Sequence, residues 1–393
     1  MKHLDHRHVD LSVIIANYNV CAMLEQALRA VRQASSGLAI EVFVVDNDSS
    51  DGSIGYLQPR FPEVCFISNH ENIGFSRANN QAISVSQGKY ILLLNPDTIV
   101  AEDTLRHSFD FMERHPLAGA HGVKMINANG LFLFESKRSF PTPWNAFCRM
   151  TGLSSLFPSS PHFSNYQLRY LSPDEEHNIE VLSGAYMFIR RKALDEVGLL
   201  DEQFFMYGED IDLSYRIILG GYTNHYLPTR ILHYKGESTQ KNGKDYYRHF
   251  YGAMQIFFRK HYRHRGLIMS TIIRLSIIAL GAARKLSRIR KIERCRYREV
   301  MVIASQDEMM DLCGKAHDSL SCDTITPCSV NVNDITTLKA CLSSVAATTT
   351  DILFAAPTIP YRDALEAMDS NPNKKITYHF YHRESGTIIS PKH

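Results

Sequence analysis

Short apolar runs alternate with stretches of helical spacing along the first part of the chain. Leu11 to Ala16 reads as a buried strand that stops at Asn17-Tyr18-Asn19, after which Met23, Ala27, Leu28 and Val31 fall on one helical face. Glu41 to Val45 is a second strand, and it ends in Asp46-Asn47-Asp48-Ser49-Ser50-Asp51-Gly52-Ser53, a cluster of turn formers and helix caps. Val64 to Ser68 predicts a third strand, Phe75 to Ser86 a helix, and Tyr90 to Leu94 a fourth strand. Strands alternating with helices imply a mostly parallel sheet whose ligands bind beyond the strand carboxyl ends.

After a helix over Thr104 to His115 the pattern becomes irregular, and residues 135 to 178 are rich in Pro, Ser, Phe and Tyr without a clear period. A loop of that length inside a compact domain is expected to be a lid or a binding loop. A strand over Val181 to Arg190, a helix over Lys192 to Val197 and a helix over Asp210 to Leu219 follow, the last with Asp212 and Arg216 spaced for an i,i+4 pair. From Glu299 the alternation resumes. Strands at Val300 to Ala304, Thr324 to Val330, Asp351 to Ala355 and Lys375 to Tyr381 are separated by helices at Glu308 to Leu320, Ile335 to Ala346 and Tyr361 to Met368, a second and smaller α/β unit. The expected division is 1–260, 261–298 and 299–393.

The middle segment is set apart by charge. The whole chain carries a net charge of only +2, yet Arg259 to Arg298 holds thirteen Lys or Arg residues and a single acid, Glu293. These bracket Leu267 to Ala283, an apolar stretch interrupted by Arg274. It is short for a spanning helix, and Arg274 would be costly in hydrocarbon. Ser270, Thr271, Arg274 and Gly281 project to one side and Ile268, Ile272, Leu275 and Ala279 to the other. That favours a helix lying in the interface of an anionic membrane over one packed on the protein or one that spans.

Hydrophobic content of 44% and charged content of 21% are ordinary for a folded protein of 393 residues. The eight cysteines show no C-x-x-C pair, so they read as unpaired thiols of a reducing compartment and no zinc site is expected. The N-terminus, Met1 to His8, has no apolar signal region, and the protein is placed in the cytoplasm.

Two acidic points carry the candidate chemistry. The run Tyr90-Ile91-Leu92-Leu93-Leu94-Asn95-Pro96-Asp97 delivers a carboxylate to the end of a buried strand. Taken alone Asp97 is a turn residue, but one Asp there also suits Mg²⁺ or Mn²⁺ that shares diphosphate oxygens. Gly208-Glu209-Asp210-Ile211-Asp212 opens a helix, where acids are routine dipole partners and where one carboxylate is also kept ionised as a general base. Asn72-Ile73-Gly74-Phe75-Ser76-Arg77-Ala78-Asn79-Asn80 opens another helix, with backbone N–H groups and Arg77 able to hold phosphate. His233 is a structural hydrogen-bonder or a ligand of metal or phosphate.

In order and spacing, Val13-Ile14-Ile15-Ala16-Asn17-Tyr18-Asn19, Val44-Val45-Asp46-Asn47 with Ser50-Asp51-Gly52-Ser53, Asn72-Ile73-Gly74-Phe75 with Asn79-Asn80, Leu94-Asn95-Pro96-Asp97-Thr98, Ser183-Gly184-Ala185 and Gly208-Glu209-Asp210-Ile211-Asp212-Leu213 together resemble glycosyltransferase family 2, in particular its rhamnosyltransferase-like branch of inverting enzymes. The resemblance covers roughly residues 10 to 240. It implies a glycosyltransferase-A fold that binds a nucleotide-diphosphate sugar. Asn17, Asp46 and Asn47 would hold the nucleoside, Gly184 and Ala185 would line the sugar or acceptor pocket, and Asp97 would be the metal aspartate; beside these, Tyr18, Gly74, Phe75, Arg77, Asn79 and Asn95 are read as further donor-site residues and His233 as a second ligand of the divalent cation. Asp210, with Glu209 beside it, would be the catalytic base. The family's D-x-D element begins here with Asn95, so the metal contact rests on Asp97.

The last hundred residues or so resemble the nucleotide-binding-like region of polyprenyl-phosphate sugar transferases through Asp351-Ile352-Leu353-Phe354-Ala355-Ala356 and Ser385-Gly386-Thr387-Ile388-Ile389-Ser390. Ala304-Ser305-Gln306 lacks the glycine-rich turn a diphosphate needs, so a docking or regulatory domain is expected.

What the resemblance implies, taken whole, is an inverting glycosyltransferase at the cytoplasmic face of the inner membrane. It would move a sugar, with rhamnose the leading guess, to a glycan or polyprenyl-linked glycan acceptor in bacterial surface-polysaccharide synthesis; no nucleic acid partner is expected. Two rivals stand beside it. A sugar-phosphate nucleotidyltransferase would carry a glycine-rich phosphate loop where this chain has Asn17-Tyr18-Asn19, and a non-catalytic sugar-binding or scaffold protein would have lost the acidic positions, which are present here.

Overall fold

The computed structural model describes residues 8–142, 144, 145, 148, 151–235, 244–262, 298–330, 334–356 and 358–391. Strands β1 (Leu11–Asn17), β2 (Ile40–Asp46), β3 (Val64–Ser68) and β4 (Tyr90–Leu94) form with the helices Cys21–Ala34 and Phe75–Val85 as their periodicity predicts. They pair in parallel, in the order β3-β2-β1-β4. Ile15, Val44 and Leu92 pack one face and Ile14, Val45 and Leu93 the other, so both faces of the sheet are covered and the strands read as unbroken apolar runs.

The second half of this sheet is less legible. Strands β5 (Thr98–Val100), β6 (Ala118–Ile126), β7 (His177–Asn178), β8 (Tyr186–Arg190) and β9 (Thr223–His233) complete a nine-stranded sheet in the order β3-β2-β1-β4-β8-β6-β9-β5, with β7 on β9. Strand β8 runs antiparallel to both β4 and β6, so the sheet is mixed rather than mostly parallel. The expected strand over Val181 to Arg190 starts only at Tyr186, because Tyr186 N turns back to donate to Ser183 O at 3.2 Å.

Strands β6 and β9 escape a pattern-based reading for a physical reason. Strand β6 buries Gly119, His121, Gly122 and Lys124 among its apolar residues, and β9 carries Pro228 and Arg230 with a register shift opposite Val123 and Lys124. His121 is tolerated because burial pushes its pKa down to about 3, leaving a neutral ring.

Residues 135 to 178 are mostly irregular, as expected. The segment is nevertheless tied down at its root, where the buried Lys137 Nζ donates to Leu168 O and Leu171 O, each at 2.7 Å.

The C-terminal unit is a five-stranded sheet of β10 (Glu299–Ala304), β11 (Thr324–Ser329), β12 (Asp351–Ala356), β13 (Thr377–His382) and β14 (Thr387–Ile389), ordered β11-β10-β12-β13-β14. Its first four strands are parallel and β14 closes antiparallel, an α/β architecture of the Rossmann-like kind. Cys328 on β11 and Cys341 on the helix Ile335–Ser343 lie side by side in this unit.

Among the described residues no helix is long and apolar enough to cross a membrane. The stretch Leu267 to Ala283, read as an interfacial helix, lies outside the described residues.

Candidate active site

The carboxyl ends of β1, β2 and β3 lie side by side, and a polar network is built on them. Asn17 Nδ2 donates to Asp46 Oδ1 at 2.7 Å, and Ser49 N donates to Asp46 Oδ2 at 2.9 Å. Asn17, Asp46 and Asn47 are all buried. Asn47 N donates to Asn17 O at 3.0 Å, while Asn69 Nδ2 donates to Asn47 Oδ1 at 3.1 Å. These bonds hold the network in a fixed shape, while Asn17 Oδ1 is buried with no hydrogen-bond partner among the described residues. Tyr18 beside them is 37% exposed, leaving a ring available at the mouth of the network.

Gly74 begins the helix Phe75–Val85 with φ of +85°, and a Cβ there would lie 2.5 Å from Phe205 O. Only glycine allows this approach, and it lets Phe75 N donate to Phe205 O at 2.7 Å. That N–H is thereby committed to the protein. Asn79 is buried and its Nδ2 donates back to Phe75 O at 2.8 Å, which braces the start of the helix. Arg77 is more than half exposed and faces Glu202 at 3.5 Å.

Strand β4 ends at the second cluster. Asn95 N donates to Ala185 O at 3.0 Å, joining the Asn95-Pro96-Asp97 turn to the Ser183-Gly184-Ala185 turn. Strands β5 and β9 pair Thr98 with His233, which brings His233 Nε2 to 3.4 Å from Asp97 Oδ1 and to 3.4 Å from Asn95 Nδ2. Both side chains are almost buried, and His233 Nδ1 has no hydrogen-bond partner among the described residues. No cluster of three or more His, Cys, Asp or Glu suited to a metal occurs among the described residues. One carboxylate and one imidazole are nonetheless a donor pair that suits a cation completing its shell with diphosphate oxygens and water.

The third cluster surrounds the start of the helix Glu209–Leu219. Asp210 Oδ2 accepts from Arg138 Nη2 at 2.6 Å and from Gly184 N at 3.4 Å. Arg138 Nη2 also donates to Leu182 O at 2.6 Å. Burial works against the Arg138 charge, but the adjacent Asp210 carboxylate prevails and raises the guanidinium pKa. Gly184 stands against both Asp210 and Phe75, since a Cβ on it would lie 3.6 Å from Asp210 Cβ and 3.7 Å from the Phe75 ring.

The two acids of the Glu209-Asp210 pair have different surroundings. Asp210 keeps part of its side chain in solvent, whereas Glu209 is buried and its Oε2 has no hydrogen-bond partner among the described residues. Burial first, and then the Asp210 charge, push the Glu209 carboxyl up to about 8. A carboxyl raised in this way favours its protonated form near neutral pH. Asp212 Oδ2 accepts from Arg216 Nε at 2.8 Å, the expected helix pair, and its other oxygen faces Lys260 and His261.

Arg138 is the site residue that sequence reasoning missed. It lies in the irregular segment, where no period marks it, and its strand-like bridge to Val181 arises only in the folded chain.

Residues 12–198 match the family model described as Glycosyl transferase family 2. The chain is 28% identical over 268 residues to an N-acetylglucosaminyl-diphospho-decaprenol L-rhamnosyltransferase of Mycobacterium tuberculosis, covering 65% of this chain and 85% of that protein. It is 27% identical over 169 residues to rhamnosyltransferase WbbL of Escherichia coli, covering 41% of this chain and 61% of that one. Among solved structures, S. aureus TarS 1-349 aligns at 17% identity and a TM-score of 0.42, covering 63% of this chain and 64% of that one. The mannosyltransferase PcManGT from Pyrobaculum calidifontis, in complex with GDP-Man and Mn²⁺, aligns at 17% identity and a TM-score of 0.44, covering 80% and 81%. The family match lies over the strand ends that carry Asn17, Asp46 and Asp97, so residues 12–198 are similar to a glycosyl transferase family 2 domain, and the chain is a glycosyltransferase.

Proposed function

We propose that this glycosyltransferase moves a sugar, rhamnose by its relatives' names, from a nucleoside diphosphate to a hydroxyl of a lipid-linked glycan, with inversion at the anomeric carbon. The observation that carries the reading is the pairing of a partly exposed carboxylate, Asp210, with the buried Asp97–His233 pair across the Gly184-Ala185 turn. Inversion by single displacement needs a base on one side of the anomeric carbon and leaving-group stabilisation on the other.

In this reading Asn17, Asp46 and Asn47 present a rigid polar surface to the nucleoside. Gly184 leaves space for the sugar, and Asp210 takes the proton of the attacking acceptor hydroxyl. Asp97 and His233 would hold a Mg²⁺ or Mn²⁺ ion, which when bound offsets the charge on the departing diphosphate. Arg138 holds Asp210 toward the pocket through one nitrogen shared with Leu182 O. The basic segment around Leu267 to Ala283 would keep the enzyme on the anionic cytoplasmic face of the membrane, where a polyprenyl-linked acceptor is reached.

Asp210→Asn tests the assignment. Transfer from a radiolabelled nucleotide-sugar should be lost while donor binding, read by thermal shift, is retained. Near-normal turnover in that variant rejects Asp210 as the base.

A further inference from the structure

The small α/β unit grips the edge of the catalytic sheet directly behind the Asp97–His233 pair. Strand β5 is the edge strand, three residues long, and it begins one residue after Asp97, while β9 beside it ends in His233. So short an edge strand holds few ladder hydrogen bonds of its own. The helix Tyr361–Ser370 packs against both strands.

Two sets of polar contacts fix that helix in place, and a third ties the chain just beyond it. Its first turn has no side-chain cap from Pro360, and the exposed N–H groups are taken instead by Glu102 from the catalytic domain. Glu102 Oε1 accepts from Tyr361 N at 2.8 Å and Oε2 from Arg362 N at 2.7 Å, a carboxylate at the positive end of the helix. Near the other end, Asp369 Oδ2 accepts from Lys124 Nζ on β6 and Arg230 Nε on β9, both at 2.6 Å. Backbone joins backbone as well, with Tyr378 N donating to Ala128 O at 2.8 Å and Asn373 N to Asn129 O at 3.0 Å. The approach is so close that a Cβ on Gly130 would collide with Met368 O. One apolar cluster runs through both units, including Ile99, Val100 and Ile126 on one side and Tyr361, Leu365 and Met368 on the other.

From this geometry we infer that the C-terminal unit is a fixed clamp on the β5–β9 edge, and that Glu102 and Asp369 are positioning residues for the Asp97–His233 pair. The clamp sets the separation of the pair by holding the two strands that deliver it. The inference rests on the reading of that pair as the cation site.

The test uses the full-length protein and Mn²⁺ as the probe, with binding followed by loss of the free Mn²⁺ electron paramagnetic resonance signal, alone and with UDP, GDP or dTDP. Glu102→Gln leaves one helix N–H without an acceptor, and Asp369→Asn removes the charge that Lys124 and Arg230 share. Each should weaken Mn²⁺ binding by about tenfold, the lower end of what loss of groups that orient metal ligands costs. The control is Lys339→Ala, which breaks a 2.6 Å pair with Glu366 inside the small unit and should leave Mn²⁺ binding unchanged. Glu102→Asp, which keeps the charge and shortens its reach, replaces the Gln variant if that fails to fold.

Wild-type protein that binds no Mn²⁺ under any of these conditions overturns the cation site and the clamp with it. Wild-type binding with unweakened Glu102 and Asp369 variants overturns the clamp alone, as does equal weakening by Lys339→Ala.

Discussion

Arg138 Nη2 lies 2.6 Å from Asp210 Oδ2, and the same nitrogen donates to Leu182 O at 2.6 Å. The guanidinium is thus anchored to backbone on one side and presents its charge to the carboxylate on the other. A charge-assisted bond between two largely buried groups fixes direction more firmly than an exposed ion pair does. Asp210 is held beside Gly184, so the orientation of the proposed base depends on a residue outside its own helix.

Arg138→Ala should therefore lower kcat by about a hundredfold while the donor KM changes little, because misplacement of a reacting group acts on the chemical step. Arg138→Lys should recover part of the loss, since an ammonium cannot bridge two acceptors with the same planar geometry. Initial rates over a range of donor concentrations separate kcat from KM.

Glu209 predicts a pH dependence of stability. Its carboxyl is raised from 4.5 to about 8 by burial and by the Asp210 charge, so the folded state holds a proton that the unfolded state releases at lower pH. The associated stability is complete below pH 4.5 and is lost as pH rises toward about 8. Glu209→Gln should flatten that slope. Urea unfolding of both proteins at intervals from pH 5 to about 9 checks it.

Asp212 behaves in the opposite sense. Burial works against its charge, but His261, Lys260 and Arg216 together hold the carboxyl down at about 2. Its contribution is present above 3.8 and is lost as pH falls toward about 2. The side chain is fully buried, so Asp212→Asn leaves cations facing a neutral group and should cost about 3 kcal/mol. Denaturant titration at neutral pH measures the loss.

Gly74→Ala combines two penalties. The residue must keep φ of +85°, and its new methyl group would lie 2.5 Å from Phe205 O, which is held by Phe75 N. A stability loss of roughly 2 kcal/mol or more is expected, read as a lowered thermal midpoint, with weakened donor binding as the helix start shifts.

The residues themselves determined the β-α-β core, the turn at Asn17, the Asp46 cluster and the delivery of Asp97 by a buried strand, because each is written in local periodicity and turn chemistry. The acidic start of the Glu209 helix was legible for the same reason, as was the pairing of Asp212 with Arg216. Tertiary structure decided the rest. Strand β6 buries His121 and Lys124, and β9 carries Arg230, with Lys124 and Arg230 paired to Asp369 far along the chain, so no apolar alternation announces these strands. The contact of His233 with Asp97 follows from the β5–β9 register, and that of Arg138 with Asp210 joins residues 72 apart. Burial, and then the charge of the adjacent Asp210, raise the Glu209 carboxyl, an effect that adjacency in sequence does not announce. Periodicity reports which face of an element turns inward; which other element it meets there is fixed only when the sheet order is complete.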